Sequence, residues 1–319
     1  MRVLVTGASG FVGRRVCALL AASDCEVVAA TRATDAPVPG AARTLALGGI
    51  GPATHWQPAL DGCDALVHLA ARTHQGDDAT MRDDFFRINV EGTRGLIDAA
   101  LAAGVRRVVF VSSAKVYGES SPLDADGRPH AFTATDVPRP AGPYGASKLA
   151  AEALLRERCA TARAALTILR PPLVYGPGNK ANLFALMRAI ERGVPLPLAS
   201  IRNARSLVFV DHLAEAIGAA LAQADGTHVY PVADVELSTP ALIEALAAGM
   251  RKPARLLPCP VGLLALFGRL TSRGATIERL TGSLVLEHAQ ITRELGWRPR
   301  FTLAEAMRLT GDGYWSARG

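Results

Sequence analysis

The chain has 319 residues, of which 49% are hydrophobic, and its formal net charge is +6. This length suffices for one large domain or two medium domains with a full hydrophobic core. The basic residues are dispersed and no basic run is interleaved with aromatic residues, so the charge does not indicate nucleic-acid binding. An anionic small-molecule ligand explains the charge equally well.

No apolar run reaches the roughly 18 residues that span a bilayer, which argues against membrane insertion. The apolar run 263–267 favours a short packed helix over a membrane-surface helix. The chain begins inside its first predicted strand, which leaves no room for a signal peptide and predicts a cytoplasmic protein. The five cysteines lack the spacing of a disulfide framework or a zinc site, so we expect no bound metal.

A strand predicted over residues 2–5 leads into the sequence TGASGFVG at 6–13, and a helix is predicted over 11–22. Gly7 permits a tight turn, Gly10 allows close approach of a pyrophosphate, and Gly13 allows close packing of helix on strand. The helix N-terminus faces the anion. A second apolar strand at 25–30 supports a dinucleotide site, although the glycine spacing is not GxGxxG. The predicted contacts with the dinucleotide are Gly7, Ser9, Gly10, Phe11, Val12 and Gly13.

Alternating strands and helices continue along the first half of the chain. The predicted strands are 65–69, 107–111 and 166–169, and the predicted helices are 83–103 and 144–159. Continuously apolar strands that alternate with helices indicate an α/β fold of the Rossmann type, with a doubly wound parallel sheet. We assign residues 1–172 to this dinucleotide-binding domain.

The pattern is less regular after residue 172. The predicted helices are 182–192, 211–223, 240–250 and 289–295, and the predicted short strands are 206–210 and 227–233. We assign residues 173–319 to a smaller C-terminal substrate-binding α/β region, from which a strand and helix at about 206–233 return to the first sheet. Pro231 suits an edge strand because proline donates no ladder hydrogen bond.

The sequence Tyr144-Gly145-Ala146-Ser147-Lys148 carries the predicted chemistry. On a helix, Tyr144 and Lys148 lie one turn apart on one face, so the ammonium can stabilise the phenolate and lower the pKa of Tyr144. The pair would then serve as a general acid and base for an alcohol and carbonyl couple. Ser113 ends a predicted buried strand, at the edge where open parallel sheets bind ligands. A surface Tyr–Lys pair and a turn-capping serine are the alternatives.

Several motifs together resemble the extended short-chain dehydrogenase/reductase family of sugar-nucleotide epimerases, dehydratases and reductases. The motifs are the glycine turn, HLAA at 68–71, NVEGT at 89–93, VSSAKVYG at 111–118, the YxxxK pair and LRPPLVYGPG at 169–178. The resemblance covers essentially the whole chain. It implies that Ser113, Tyr144 and Lys148 are catalytic and that Asn89 supports a proton-relay water, unless Asn89 is only a buried helix-bending residue. His68 is expected to pack or bond locally.

The resemblance also implies ligand contacts beyond the glycine turn. The further expected cofactor contacts are Arg32, Leu69, Ala70, Ala71, Ser112, Tyr144, Lys148 and Pro171. The expected substrate contacts are Ser113, Lys115, Tyr144, Asn182, Arg205 and Arg279. Asn182 and Arg205 lie in segments similar to those that bind uridine diphosphate, with Arg279 as a phosphate ligand. Alternatively, Arg205 forms a structural pair with a carboxylate such as Asp211.

Departures from the family pattern narrow the activity. Dehydratases of this family carry Asp-Glu where this chain has Ala114 and Lys115, so dehydration is disfavoured. NAD-dependent relatives carry an aspartate after the second strand, where this chain has Thr31 and Arg32. A guanidinium can bind a 2′-phosphate, so the sequence favours NADP(H), with NAD possible. Residues 48–50 are Gly-Gly-Ile and lack the carboxylate that often binds adenine.

These observations favour NADPH-dependent reduction of the 4-keto group of a UDP-linked 4-keto-6-deoxy (N-acetyl)hexosamine, for a surface polysaccharide precursor. The first alternative is an NAD-dependent 4-epimerase of a UDP-hexose or UDP-N-acetylhexosamine. The others are an NADPH reductase of non-sugar ketones and a catalytically silent dinucleotide sensor. A homodimer through the amphipathic helices near residues 83 and 144 is possible.

Overall fold

The computed structural model describes residues 1–33, 37–73, 79–223, 225–271 and 274–318. Its strands are β1 Arg2–Thr6, β2 Glu26–Thr31, β3 Arg43–Ala46, β4 Ala65–His68, β5 Arg107–Val111, β6 Ala131–Phe132, β7 Ala165–Arg170, β8 Leu173–Tyr175, β9 Arg205–Phe209, β10 Thr227–Pro231, β11 Val235–Leu237 and β12 Val285–Leu286. Its α-helices are α1 Phe11–Ala22, α2 Gln57–Leu60, α3 Ala79–Phe86, α4 Gly92–Ala102, α5 Pro143–Ala162, α6 Ala181–Glu191, α7 Val210–Ala220, α8 Thr239–Gly249, α9 Val261–Leu270, α10 Gly274–Thr281, α11 Ala289–Leu295 and α12 Leu303–Ser316.

A seven-stranded parallel sheet with the order β10-β7-β5-β4-β1-β2-β3 forms the centre of the fold. Every residue of β4 and β7 is buried, as expected for strands covered on both faces. The predicted Rossmann-type α/β fold is therefore confirmed. Strand β10 lies at one edge and ends at Pro231, which needs no ladder donor there.

Helices cover both faces of this sheet. On one face, Val16 and Leu20 of α1 share a core with Leu213 and Ile217 of α7. On the other face, the core includes residues of α4 and α5, such as Leu96 and Leu155. The alternation of apolar strands and helices produces this double covering, because each strand must bury side chains on both of its faces.

The C-terminal half builds a second, three-stranded sheet with the order β11-β9-β8. Its core joins residues of β9 to residues of α6, α8 and α12. Of the segment predicted to return to the first sheet, α7 packs on α1 and β10 pairs with β7. Strand β9, at the start of that segment, pairs with β8 and β11 in the second sheet. The domain division at residue 172 stays a prediction.

Among the described residues, no helix combines the length and the apolar character that crossing a bilayer requires.

The turn between β1 and α1 depends on its glycines. Gly7 has a φ of +69°, and a Cβ placed on Gly13 would lie 2.2 Å from the Gly7 carbonyl oxygen and 2.7 Å from the Ala8 Cα. Real Cβ atoms do not approach backbone atoms this closely, so only glycine allows α1 to start where it does. The position of the α1 N-terminus is therefore fixed by the packing of backbone on backbone.

We predict that Gly13→Ala destabilises the protein by about 1–3 kcal/mol, because the added Cβ forces the turn apart. Chemical denaturation measures the change. Gly262→Ala is the matched control, since a Cβ at this helical glycine meets nothing within 4 Å. That variant should be neutral or up to about 1 kcal/mol more stable. Equal effects from both variants would contradict the packing argument.

Candidate active site

The segments that follow neighbouring strands meet at the carboxyl edge of the large sheet. Strands β1, β4 and β5 are adjacent, and they lead into the glycine turn, residues 69–71 and Ser112. A Cβ placed on Gly7 would lie 2.9 Å from the amide nitrogen of Ala70, so two of these segments are in contact. The Ala114 amide donates to the Pro171 carbonyl at 2.8 Å. Several segments with predicted cofactor residues therefore lie together at this edge of the sheet, where open parallel sheets form a ligand-binding crevice.

The N-terminus of α1 suits a phosphate group. Its N-cap is Gly10, which offers no side-chain cap, and the first helical hydrogen bond runs from the Arg14 amide to the Gly10 carbonyl at 3.1 Å. The amides of residues 11–13 precede that bond and have no acceptor within the helix. A dinucleotide pyrophosphate fits this arrangement, because free amides and the helix dipole both favour an anion.

Arg32 follows β2 directly and is exposed at the same edge of the sheet. Its side chain passes 3.6 Å from where a Cβ would stand on Gly49. Among the residues that the structure describes, Arg32 forms no ion pair. Glu26 lies at the opposite end of β2 and pairs with Arg2 at 2.7 Å. Within residues 1–33, where the structure describes the end of β2, no carboxylate follows the strand.

Ser113, Tyr144 and Lys148 are brought together in the crevice. Tyr144 lies in the first turn of α5, and its hydroxyl is hydrogen-bonded to Ser113, which follows β5. Lys148 lies one turn further along α5 and is buried, with its Nζ 4.1 Å above the centroid of the Phe110 ring. This is the grouping that the YxxxK spacing and the position of Ser113 predict.

Burial sets the pKa of both titratable groups and corrects one expectation. The pKa of Tyr144 is raised to about 12, because burial outweighs the opposing effect of the Ser113 hydrogen bond. The sequence predicts a lowered pKa, since periodicity reveals the lysine but not the desolvation. Burial also lowers the pKa of Lys148 to about 7, against the attraction of Glu152. Near neutral pH, the protein without a ligand therefore favours the protonated phenol of Tyr144 and a partly neutral amine at Lys148.

Lys148 should consequently make stability depend on pH. The folded protein releases the Lys148 proton at about pH 7, whereas the unfolded chain holds it up to about 10.5. Because the unfolded state binds more protons in this window, stability rises with pH. The free energy of unfolding of the nucleotide-free wild type, minus that of Lys148→Met, should rise by about 1.4 kcal/mol per pH unit. Denaturation across this window measures it.

Lys252→Met is the control for this experiment, since Lys252 is exposed. Its unfolding free energy should follow that of the wild type across the same window. A constant difference between wild type and Lys148→Met would contradict the buried, lowered pKa.

Asn89 lies in a π-helical turn, Arg87–Glu91, between α3 and α4. Its Oδ1 accepts from the Arg72 amide at 2.8 Å, and its Nδ2 donates to the Ser147 Oγ at 3.0 Å. The Ser147 hydroxyl donates in turn to the Tyr144 carbonyl at 2.8 Å. The side-chain amide of Asn89 is thus hydrogen-bonded within the protein through both its oxygen and its nitrogen. The backbone carbonyl of Asn89 accepts from the Thr93 hydroxyl at 2.7 Å. This geometry favours a role for Asn89 in positioning Tyr144, rather than a role in holding a relay water.

His68 belongs to a buried hydrogen-bond chain. The Thr93 hydroxyl donates to the Asn89 carbonyl, so it must accept from the His68 Nε2 at 2.9 Å. The His68 Nδ1 then accepts from the Thr6 hydroxyl at 2.8 Å. Burial and the charge of Lys148 lower the pKa of His68 to about 3. The ring stays neutral and bonds locally, as the sequence analysis expects.

A buried ion pair that the sequence did not predict links β7 to α5. Arg170 donates to both carboxylate oxygens of Glu152, at 3.0 and 2.6 Å, and Ser112 donates to the same carboxylate at 2.5 Å. Arg170 also donates to the Tyr117 hydroxyl at 2.9 Å. An available signal was the spacing, because Glu152 follows Lys148 by four residues and therefore shares its helix face.

On the substrate side, Arg205 is half-buried and donates to the carbonyls of Arg279 and Gly282 at 2.8 and 3.0 Å. Burial lowers its pKa, against the attraction of Glu119. Within the described residues Arg205 has no carboxylate in contact, whereas Asp211 pairs with Arg15. The alternative pairing of Arg205 with Asp211 is therefore wrong.

The other predicted substrate residues are less enclosed. Lys115 forms an ion pair with Glu119, and the side chains of Asn182 and Arg279 are exposed. The backbone carbonyl of Arg279 accepts a hydrogen bond from Arg205. The exposed Arg279 guanidinium takes no part in this contact. Asn179 was not selected from the sequence, yet it is buried and its Nδ2 has no hydrogen-bond partner among the described residues.

Residues 3–233 match the model of the NAD dependent epimerase/dehydratase family. The chain belongs to this family. It is 35% identical to a UDP-glucose 4-epimerase of Vibrio cholerae over 321 residues, which cover 99% of this chain and 96% of that protein. The predicted family, and an enzyme of the sugar-nucleotide epimerase and reductase type, are thereby confirmed.

Two further similarities are informative. The chain is 31% identical over 268 residues to the N-acetyl-alpha-D-glucosaminyl-diphospho-ditrans,octacis-undecaprenol 4-epimerase of Escherichia coli O157:H7, with 82% of this chain and 77% of that protein covered. Among solved structures, MoeE5 in complex with UDP-glucuronic acid and NAD is 27% identical, with a TM-score of 0.80. That similarity covers 99% of this chain and 100% of the MoeE5 chain.

Proposed function

We propose that this enzyme interconverts the carbon-4 epimers of a UDP-linked hexose or N-acetylhexosamine. The observation that carries the proposal is the hydrogen bond between Ser113 and Tyr144 inside the crevice that the glycine turn borders. A 4-epimerase is the first alternative that the sequence leaves open. The similarity to a 4-epimerase along 99% of the chain moves it ahead of the reductase.

The proposed chemistry assigns distinct tasks to the three side chains. A bound nicotinamide supplies the reversible removal and return of a hydride at carbon 4. Tyr144 takes the proton of the carbon-4 hydroxyl and returns it, and its raised pKa keeps the phenol protonated for the return step. Ser113 holds the tyrosine hydroxyl and the reacting oxygen. Lys148, when protonated, favours the phenolate.

A sugar diphosphate suits the far side of the crevice. Arg205 is a partly desolvated cation that contacts only carbonyls among the described residues, and a diphosphate would supply the missing negative charge. The unpartnered Nδ2 of Asn179 is a second donor available to a ligand. Ala114 and Lys115 offer no acid pair, and Lys115 is engaged with Glu119, which argues against dehydration.

A second candidate is NADPH-dependent reduction of a 4-keto-6-deoxy UDP-sugar. Its support is Arg32, an exposed guanidinium after β2 without a carboxylate beside it in the described part of the chain. The segment around Arg205, which is similar to segments that bind uridine diphosphate, argues against small non-sugar ketones as substrates. The grouping of Ser113, Tyr144 and Lys148 argues against a silent sensor, which needs none of them. Cytoplasmic location and a homodimer stay predictions.

We predict that the purified protein converts UDP-glucose or UDP-N-acetylglucosamine to its 4-epimer without consuming added NADPH. Nuclear magnetic resonance of the products measures the conversion. Tyr144→Phe should lower turnover by about 10²- to 10⁴-fold, because the proton carrier is lost. Tyr314→Phe is the matched control, since Tyr314 bonds Glu191 in another part of the fold.

Two outcomes decide against the epimerase. One is turnover in Tyr144→Phe equal to that of the wild type, which would remove the proposed mechanism altogether. The other is NADPH oxidation with a 4-keto-6-deoxy UDP-sugar and no interconversion of epimers. That second outcome would select the reductase.

We propose a preference for NADP(H) over NAD on the basis of Arg32. We predict that Arg32→Asp lowers the ratio of NADP to NAD affinity by about 10- to 100-fold, because a charge-assisted contact is replaced by repulsion. Titration calorimetry with each dinucleotide measures the ratio. Arg156→Asp, at an exposed position on α5, is the control. An unchanged ratio of NADP to NAD affinity in Arg32→Asp would contradict the proposal that Arg32 binds the 2′-phosphate.

A further inference from the structure

Among the residues that the structure describes, helix α9 packs against neighbours on one side. Leu264 and Gly268 are its buried residues, and Gly268 lies so close to α10 that an added Cβ would stand 2.8 Å from Ile277. A short packed helix is the expectation from the sequence, and α9 does pack through these two residues. Most of its large apolar side chains are nevertheless exposed.

The outward face of α9 is apolar and continuous. Leu263, Leu266, Phe267 and Leu270 are 57%, 52%, 57% and 78% exposed. Their spacing of three, one and three residues places them on one side of the helix. Leu257, which precedes the helix, is also exposed, at 51%. Soluble monomers rarely leave a cluster of large apolar side chains in water without a partner.

The charge of this segment indicates the partner. From Lys252 to Thr271 the sequence has three basic residues, the others being Arg255 and Arg269, and no acidic residue. All three basic residues are exposed, and Arg269 lies on α9 itself. An apolar helix face in a segment that carries basic residues and no acidic ones is typical of a helix that lies in the interface of an anionic bilayer.

We propose that the outward face of α9 docks on the surface of an anionic phospholipid bilayer. The apolar side chains enter the boundary between headgroups and acyl chains, and the basic side chains contact the lipid phosphates. The contact is peripheral, since ten residues of helix are too short to span the hydrocarbon core. It is independent of the reaction that the crevice catalyses.

The location of α9 gives this docking a consequence for the crevice. Helix α9 packs on α10, and the segment from the end of α10 supplies the carbonyls of Arg279 and Gly282 that hold Arg205. Docking through α9 therefore brings the Arg205 end of the crevice towards the bilayer.

Cosedimentation of the full chain with vesicles tests the proposal. The protein should bind vesicles of phosphatidylcholine mixed with phosphatidylglycerol, more weakly those of phosphatidylcholine alone, and more weakly in high salt. The double variant Phe267→Glu with Leu270→Glu should lower binding by about tenfold or more. Leu123→Glu with Val137→Glu is the matched control, because these side chains are 69% and 70% exposed elsewhere on the surface. It should bind as the wild type does.

Thermal unfolding and dinucleotide titration establish that each variant is folded. No binding to the mixed vesicles by the folded wild type would overturn the proposal, as would equal binding by both double variants. Sedimentation velocity provides a third readout. A dimer that Phe267→Glu with Leu270→Glu dissociates would assign the face to a second copy of this chain and overturn the bilayer as its partner.

Discussion

The buried ion pair between Arg170 and Glu152 determines where the active-site side chains stand. Its partners are only 3% and 1% exposed, so each charge would be unsupported in the interior without the other. Ser112 and Tyr117 complete its hydrogen bonds, which ties the end of β5 and the following turn to α5 and β7. The backbone that carries Ser113 and the helix that carries Tyr144 are thereby held by one polar cluster.

The same cluster sets the electrostatics of the crevice. Glu152 is the negative group that opposes the desolvation of Lys148, but its carboxylate is already bonded to Arg170. Lys148 consequently retains a pKa near 7 rather than its ordinary value. Burial favours the neutral forms of both Tyr144 and Lys148, so their ionisation responds strongly to any charge brought into the crevice. Such sensitivity suits a proton carrier that must both accept and return its proton.

The sequence predicts whatever follows from local period and chain order. Apolar alternation identifies the parallel sheet, and the YxxxK spacing places Tyr144 and Lys148 on one helix face. Strand β3 escapes prediction because its four residues are neither buried nor continuously apolar. The partner of Arg205 and the pairing of β9 depend on tertiary contacts across many residues. The direction of the Tyr144 pKa depends on burial, which no local pattern contains.

The proposed catalytic residues Ser113, Tyr144 and Lys148 do not distinguish an epimerase from a reductase, because both reactions move a proton and a hydride at one carbon. The difference lies in whether the dinucleotide is retained after the first hydride transfer. Retention depends on how closely the protein encloses the dinucleotide. The role proposed for Arg32 concerns another property, the choice of dinucleotide, and Arg32 is exposed, where water weakens each charge–charge interaction. An arginine after β2 is therefore compatible with either reaction, and the similarity along the whole chain carries more weight than that single residue.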